Sequence, residues 1–304
     1  MNNLLSLKEL REDDLYTLIH NGLAVKQQPK KYEEACRNIG ILMLFQKTST
    51  RTHLSFHAGI HQMGGYATVM DWDSSNFSIS PISHEARYAS RNCSLIMARL
   101  KKHEDLLQLA EYSSVPVING CCDKYHPCQA LADLMTIYET AGTFEGITLT
   151  YVGIHNNVAN SLIAGCLTLG MQLQLVTPIV HEAARDEELM RAAAASGHIR
   201  RVDNLDEALS RTDFVYTDTW VDMEFVNSPE YEEEKRRRIR TMLPYQLKAE
   251  LFSNRKPYVM HDMPIHPGYE IEEQLIESEQ SIIFRQADNR LHVQKALMLS
   301  LLQK

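Results

Sequence analysis

Residues Gly40–Phe45 read GILMLF, and the polar run 46–49 (QKTS) carries the chain into TRTHLSF over 50–56. A short, unbroken apolar run closed by polar residues is the pattern of a strand buried on both faces, as in a parallel sheet. Residues 49–63 then show helical spacing and stop at Gly64 and Gly65,. A buried strand feeding a helix is one βα unit, and the same step recurs outward from it. Apolar runs at 66–70, 94–98 and 115–119 alternate with helical patterns such as 101–112. Further on, 148–152, 172–176, 213–216 and 257–262 read as strands, and 157–169 and 186–196 as helices. A helix over 127–140 is expected to join the halves. An amphipathic helix over 289–302, with Leu291, Ala296, Leu297 and Leu301 at helical spacing, is expected to pack back on the body,. The fold class is α/β, with two domains that are each a mostly parallel sheet flanked by helices.

The chain has 304 residues, enough for two domains of ~150 each,. Its net charge of -8 argues against a nucleic-acid partner, and it means that an anionic ligand must be drawn in by a local basic pocket,. Lys8 and Arg11 come too early for a secretory signal, and no apolar run approaches the ~20 residues of a membrane span,. Cys36, Cys93, Cys121, Cys122, Cys128 and Cys166 form no CxxC pair, so free thiols and a cytoplasmic location are expected,. Residues 228–240 (SPEYEEEKRRRIR) place a capping Ser228 and Pro229 first, acids next and bases last. That order suits a solvated helix with i,i+4 pairs rather than a nucleic-acid patch,.

Ser49, Thr50, Arg51 and Thr52 lie directly after a buried strand and open a helix. Hydroxyls, first-turn N–H groups and a guanidinium in that place make a phosphate site, although a capped helix with an incidental Arg has the same sequence. Three distant segments carry matching chemistry. Arg99 ends the run Ile96-Met97-Ala98-Arg99, His126 and Gln129 sit in HPCQ at the mouth of a helix, and Asp288-Asn289-Arg290 opens the last helix. In open α/β sheets, ligands collect where strands end and helices begin, so these residues can converge.

Together these segments resemble the aspartate/ornithine carbamoyltransferases, more closely the ornithine branch. The resemblance runs nearly end to end through FQKTSTRTHLSF (45–56), ARYASR to MAR (86–99) and VINGCCDKYHPCQALADLMT (117–136). It continues through YVGIHNNVANSL (151–162), TDTW (217–220), HDMP (261–264) and QADNRLHVQKAL (286–297). It implies that Ser49, Thr50, Arg51, Thr52, Arg99 and Arg290 hold the phosphate of carbamoyl phosphate. Arg99, His126 and Thr52 would polarise the carbamoyl oxygen, and Gln129 would orient the carbamoyl nitrogen. It also implies an active site in the interdomain cleft, no cofactor, no metal and a homotrimer. Residues 1–132 with the helix 286–304 would bind carbamoyl phosphate, and 133–285 would bind the acceptor. In the family a neighbouring subunit's loop completes each site; the matching stretch here, 76–84 (NFSISPISH), carries no Lys.

The acceptor pocket implied by the resemblance comprises Asn156, Asn157, Asp218, Asp222, Met223, Asp262 and Met263. Asn156, Asn157 and Asp218 match the family pattern. Asp222-Met223-Glu224 stands where Ser-Met-Gly is usual, and Asp262-Met263 where Cys-Leu is usual. Added carboxylates favour a cation, so a small cationic amino acid or diamine is the expected acceptor and aspartate is disfavoured. Asp262 is also expected to hold or deprotonate the attacking ammonium, unless it turns away to pair with a neighbouring base. The alternative function is a non-catalytic paralogue that binds carbamoyl phosphate and acts through a partner protein. His53, His57 and His61 share a helix face at i, i+4 and i+8 but are read as ordinary polar contacts rather than metal ligands,. Cys121, Cys122, His126 and Cys128 fit no zinc spacing, and Val152-Gly153 lacks the further glycines of a dinucleotide turn,.

Overall fold

In the computed structural model, which describes residues 1–221, 229–252 and 256–302, the opening apolar run is a strand, β1 (Gly40–Phe45), with all six residues buried. It follows α1 (Glu12–Gln27) and leads to α2 (Arg51–His61), β2 (Tyr66–Asp71), α3 (Ile82–Ala89) and β3 (Leu95–Arg99). Then come α4 (His103–Tyr112) and β4 (Val117–Cys121). These strands form a parallel sheet in the order β2-β1-β3-β4. α5 (Pro127–Ala141) crosses to the second half, where β5 (Thr148–His155), α6 (Asn157–Leu169), β6 (Gln172–Val180) and α7 (Glu187–Ser196) follow. β7 (Ile199–Arg201), α8 (Leu205–Leu209), β8 (Phe214–Thr217), α9 (Glu232–Met242), β9 (Tyr258–His261) and α10 (Glu273–Ile276) complete it. Its sheet is also parallel, in the order β7-β6-β5-β8-β9.

Both orders reverse direction once, between β1 and β3 in the first sheet and between β5 and β8 in the second. At such a reversal the connections leave to opposite faces and open a crevice at the carboxyl ends of the strands. The loops after β1 and β5, and the ends of β3 and β8, are therefore the places where this topology puts ligands.

The final helix, α11 (Ile283–Leu302), packs on α1, α5 and α2 and reaches β9. It starts six residues before the expected 289, so Arg290 projects from its interior rather than opening it. Asp288 has the composition of a cap but sits mid-helix with its side chain exposed and near His292. Residues from α1, α5, α6, α11 and both sheets share one apolar core. α1 was not anticipated as an element. It crosses its neighbours closely at Gly22, where a Cβ would come within 2.9 Å of Met135 Sδ and 3.3 Å of the Val293 backbone. The helix over 228–240 is present as α9, with Arg236 and Arg237 paired to Glu232 and Glu234; the expected Ser228 cap lies outside the described residues.

Candidate active site

The strand ends frame a cleft of about 510 Å³. Its lining includes 47–52, Arg99, Lys101, Cys121, Asp123 and His126 from the first half and Asn156, Asn157, Asp218, Thr219, 262–264 and Arg290 from later in the chain. Every one of these segments follows a strand or opens a helix, except Arg290, which α11 brings in from the far end of the chain.

The cationic end is built from behind. Ser49 Oγ accepts a hydrogen bond from the Thr52 N–H at 3.2 Å and so holds the first turn of α2. Thr52 is buried, and its Oγ1 accepts from Arg290 Nη2 at 2.9 Å. Arg290 is also buried, and its Nη1 donates to Gln129 Oε1 and lies 3.8 Å from Asp262 Oδ1. Arg51 Nη2 donates to the carbonyl of Met263 at 2.5 Å. Met263 takes a left-handed φ of 64°, uncommon outside glycine, and its N–H donates to His261 Nδ1 at 2.7 Å,. Behind that turn, His261 Nε2 lies 2.9 Å from Glu270 Oε1, both side chains fully buried. Arg99 closes β3 beside a register shift against β4. Arg51, Arg99 and Arg290 all line this one cleft, and Asp262, Arg290 and Arg99 all act electrostatically on Arg51.

His126 precedes α5, and its backbone N–H donates to Ser161 Oγ at 2.8 Å. Burial, then Arg290, Arg99, Arg51 and Lys47, hold its imidazole well below the ordinary value, so it is neutral near pH 7,. Arg99 Nε, Arg290 Nε and His126 Nδ1 are buried without a protein hydrogen-bond partner. Buried polar atoms are normally paired, and these three belong to residues that line the cleft,.

The other end is acidic. Asn156 caps α6, its Oδ1 accepting from the N–H groups of Val158 and Ala159, while its Nδ2 donates to Asp218 Oδ2 at 2.7 Å. Asp218 also accepts from the Thr219 N–H at 2.8 Å. Burial and then Asp262 push the Asp218 carboxyl up to about 7. Asn157 bridges the halves by donating to the Cys122 carbonyl at 2.6 Å.

The model for the aspartate/ornithine carbamoyltransferase carbamoyl-P binding domain matches residues 2–139, and the model for the Asp/Orn binding domain matches 145–301. The chain belongs to the aspartate/ornithine carbamoyltransferase family. It is a carbamoyltransferase. It is 38% identical over 311 residues to an ornithine carbamoyltransferase of Archaeoglobus fulgidus, covering 100% of this chain and 98% of that one. It is 39% identical over 307 residues to one of Bacillus cereus, covering 98% and 94%. The structure of ornithine carbamoyltransferase from Pyrococcus furiosus superposes with a TM-score of 0.88 at 34% identity, over 99% of this chain and 96% of that one.

Of the residues singled out from the sequence of this carbamoyltransferase, Ser49, Thr50, Arg51, Thr52, Arg99, His126, Asn156, Asn157, Asp218, Asp262, Met263 and Arg290 all line the cleft. Gln129 does not. It lies behind Arg290, with Oε1 taken by that guanidinium and Nε2 donating to Asp133 Oδ1 at 2.8 Å. Asp222 and Met223 fall outside the described residues. Sequence reasoning passed over Lys47 and Lys101, which line the cleft beside the phosphate motif; their places just past two buried runs were the available signal. His53 stacks on Phe45 at 5.3 Å between ring centroids, and His57 and His61 lie 4.5 Å apart, outside the cleft. All six thiols are free; burial pushes those of Cys122 and Cys128 up to about 12, which leaves them inert,.

Proposed function

We propose that this carbamoyltransferase moves the carbamoyl group of carbamoyl phosphate onto the amine of a small cationic amino acid of the ornithine type, releasing phosphate. The observation that carries this reading is the meeting of three guanidiniums and a neutral, buried His126 in a cleft that Asp218 also lines, with Asp262 between them, 3.8 Å from Arg290. Carbamoyl phosphate is anionic at its phosphate and needs its carbonyl polarised. Arg51, Arg290 and the α2 start (Ser49, Thr50, Thr52) suit the phosphate, and Arg99, His126 and Thr52 suit the oxygen. Gln129 acts on the donor through Arg290. The acceptor's ammonium faces Asp218 and Asp262, with Asn156, Asn157 and Met263 beside them. Asp222 and Met223 complete that end by resemblance.

Before attack the ammonium gives one proton to Asp262, and its lone pair then adds to the carbamoyl carbon. Charge builds on the carbamoyl oxygen, where fixed donors stabilise it without reorganisation. The carbon–oxygen bond to phosphate breaks as the oxygen returns to a carbonyl, and the phosphate carries off the second proton. No covalent nucleophile or cofactor is required, and positioning supplies much of the rate. The halves follow the same division: 1–132 with 286–304 for the donor, 133–285 for the acceptor. A homotrimer in the reducing cytoplasm completes the proposal, checked by light scattering on the purified chain. The relatives' names, all ornithine carbamoyltransferases among those cited, favour catalysis over a non-catalytic binding role.

The test is phosphate release from carbamoyl phosphate with ornithine, shorter and longer diamino acids, plain diamines and aspartate. Ornithine or a near homologue is expected to turn over fastest. Fastest turnover with aspartate would refute the charge argument, and no turnover with any amine would return the non-catalytic role.

A further inference from the structure

Behind Arg290 runs a buried chain of side chains that do not themselves line the cleft. Asp133 Oδ1, on α5, accepts from Gln129 Nε2 at 2.8 Å and from Gln286 Nε2 at 2.6 Å. Gln129 Oε1 then accepts from Arg290, and Gln286 Oε1 accepts from the His261 N–H at 2.9 Å. Asp133, Gln129, Gln286, Arg290 and His261 are all 2% exposed or less, so water does not compete for these bonds.

We infer that Asp133 is a positioning residue of the donor site: one carboxyl oxygen fixes the amide orientation of both Gln129 and Gln286, and thereby ties the Arg290 guanidinium to the turn that carries Asp262 and Met263. The argument is one of donors and acceptors. A glutamine amide can rotate by half a turn at little cost, exchanging an oxygen for an NH2 group. Arg290 has only donors, so it is held only if Gln129 presents oxygen. The His261 N–H sets the same demand on Gln286. An acceptor shared between the two NH2 groups forces both amides into the required state at once. Without it, either amide can turn its NH2 toward a donor, leaving two buried donors facing each other.

The carboxyl's proton matters to the same device. Burial chiefly, with Asp262 adding to it, pushes Asp133 up to about 8. The ionisable groups that face it are Tyr216 from β8, Cys166 from α6 and Asp262 beyond β9, with Arg290 of α11 reached through Gln129. Near pH 7 the carboxyl is therefore mostly neutral and resembles an asparagine. Above pH 8 it becomes a buried negative charge behind a phosphate site, opposing the ligand's own charge.

This inference rests on the donor-site reading above, and inorganic phosphate is the probe that separates the two. Calorimetric titration of the full-length protein from pH 6.5 to 9.5 compares wild type, Asp133→Ala and Asp133→Asn. Asp133→Ala is expected to bind phosphate about tenfold more weakly at pH 7, the loss expected when a charged donor's partner is released. Asp133→Asn keeps the shared acceptor and is expected to bind within about twofold of wild type there. Between pH 7 and 9 wild type should weaken about fivefold relative to Asp133→Asn, a ratio that cancels phosphate's own titration. Wild-type affinity in Asp133→Ala overturns the inference. Should Asp133→Ala not fold, the similarly sized Asp133→Leu, which also lacks the acceptor, decides it in the same way. Absence of phosphate binding in the wild type would overturn the donor-site reading itself, and this inference with it.

Discussion

The two ends of the cleft hold opposite charges and hold them in different ways. At the cationic end two guanidiniums are fixed from outside their own segments: Arg290 by Gln129 and Thr52, Arg51 by the Met263 carbonyl. At the acceptor end Asp218 is held by near neighbours, the Thr219 N–H and the cap residue Asn156, and its strongest electrostatic neighbour is another acid, Asp262. The cationic end is thus held before substrate arrives, whereas Asp218 faces the like charge of Asp262, which Arg290 at 3.8 Å offsets in part and a bound cation would relieve further. Preorganisation suits stabilisation of a transition state, and stored repulsion suits selection of a charged ligand.

This contrast can be broken most strongly at Arg99. Arg99→Met removes a guanidinium whose Nε has no protein partner, and kcat is expected to fall about 10²–10³-fold in steady-state assays,. A loss confined to KM would place Arg99 in ground-state binding instead. The acceptor end is sharpened by Asp262→Asn. The ratio of kcat/KM for ornithine over a neutral amino acid should drop about tenfold, and an unchanged ratio would remove Asp262 from selection. A smaller effect should follow pH. Asp218 sits at about 7 because burial disfavours its charged form, so ionisation arrives late and acceptor binding should improve as pH rises,. KM for the acceptor should fall up to about tenfold from pH 6 to 8, while Asp218→Asn, weaker throughout, should stay flat. The smallest change is expected away from both ends. Arg236 on α9 pairs with Glu232 but is 73% exposed, so Arg236→Ala should alter urea-unfolding stability by less than about 0.5 kcal/mol,.

Much of this was legible from residues alone, for identifiable reasons. β1 matched its expected bounds because a six-residue apolar run between polar turns has no helical alternative of that length. α6 did too, since Asn156 is a good cap and Gly170 a good stop. α1 was missed because its cap is Arg11, with Asp14 reaching back to the Arg11 N–H, a box without the usual Ser or Thr,. The start of α11 was misplaced because Asp288 has the composition of a cap. At the site, residues that touch the cleft were found through strand ends and motifs. Those that act from behind were not: Asp133 meets Gln286 across 153 positions, and Glu270 shows its role only once His261 is folded against it. The partners that orient the Gln129 amide, Arg290 and Asp133, are likewise beyond a linear reading.

The origin of Arg290 has a consequence for synthesis. Arg51 and Arg99 emerge early from the ribosome, yet the third guanidinium that lines their cleft sits in α11, after both sheets in chain order. On the proposed donor-site reading, a nascent chain would not hold a reactive phosphorylated donor until both halves have been translated. An immature polypeptide that can neither hold nor activate such a donor has little opportunity to squander it.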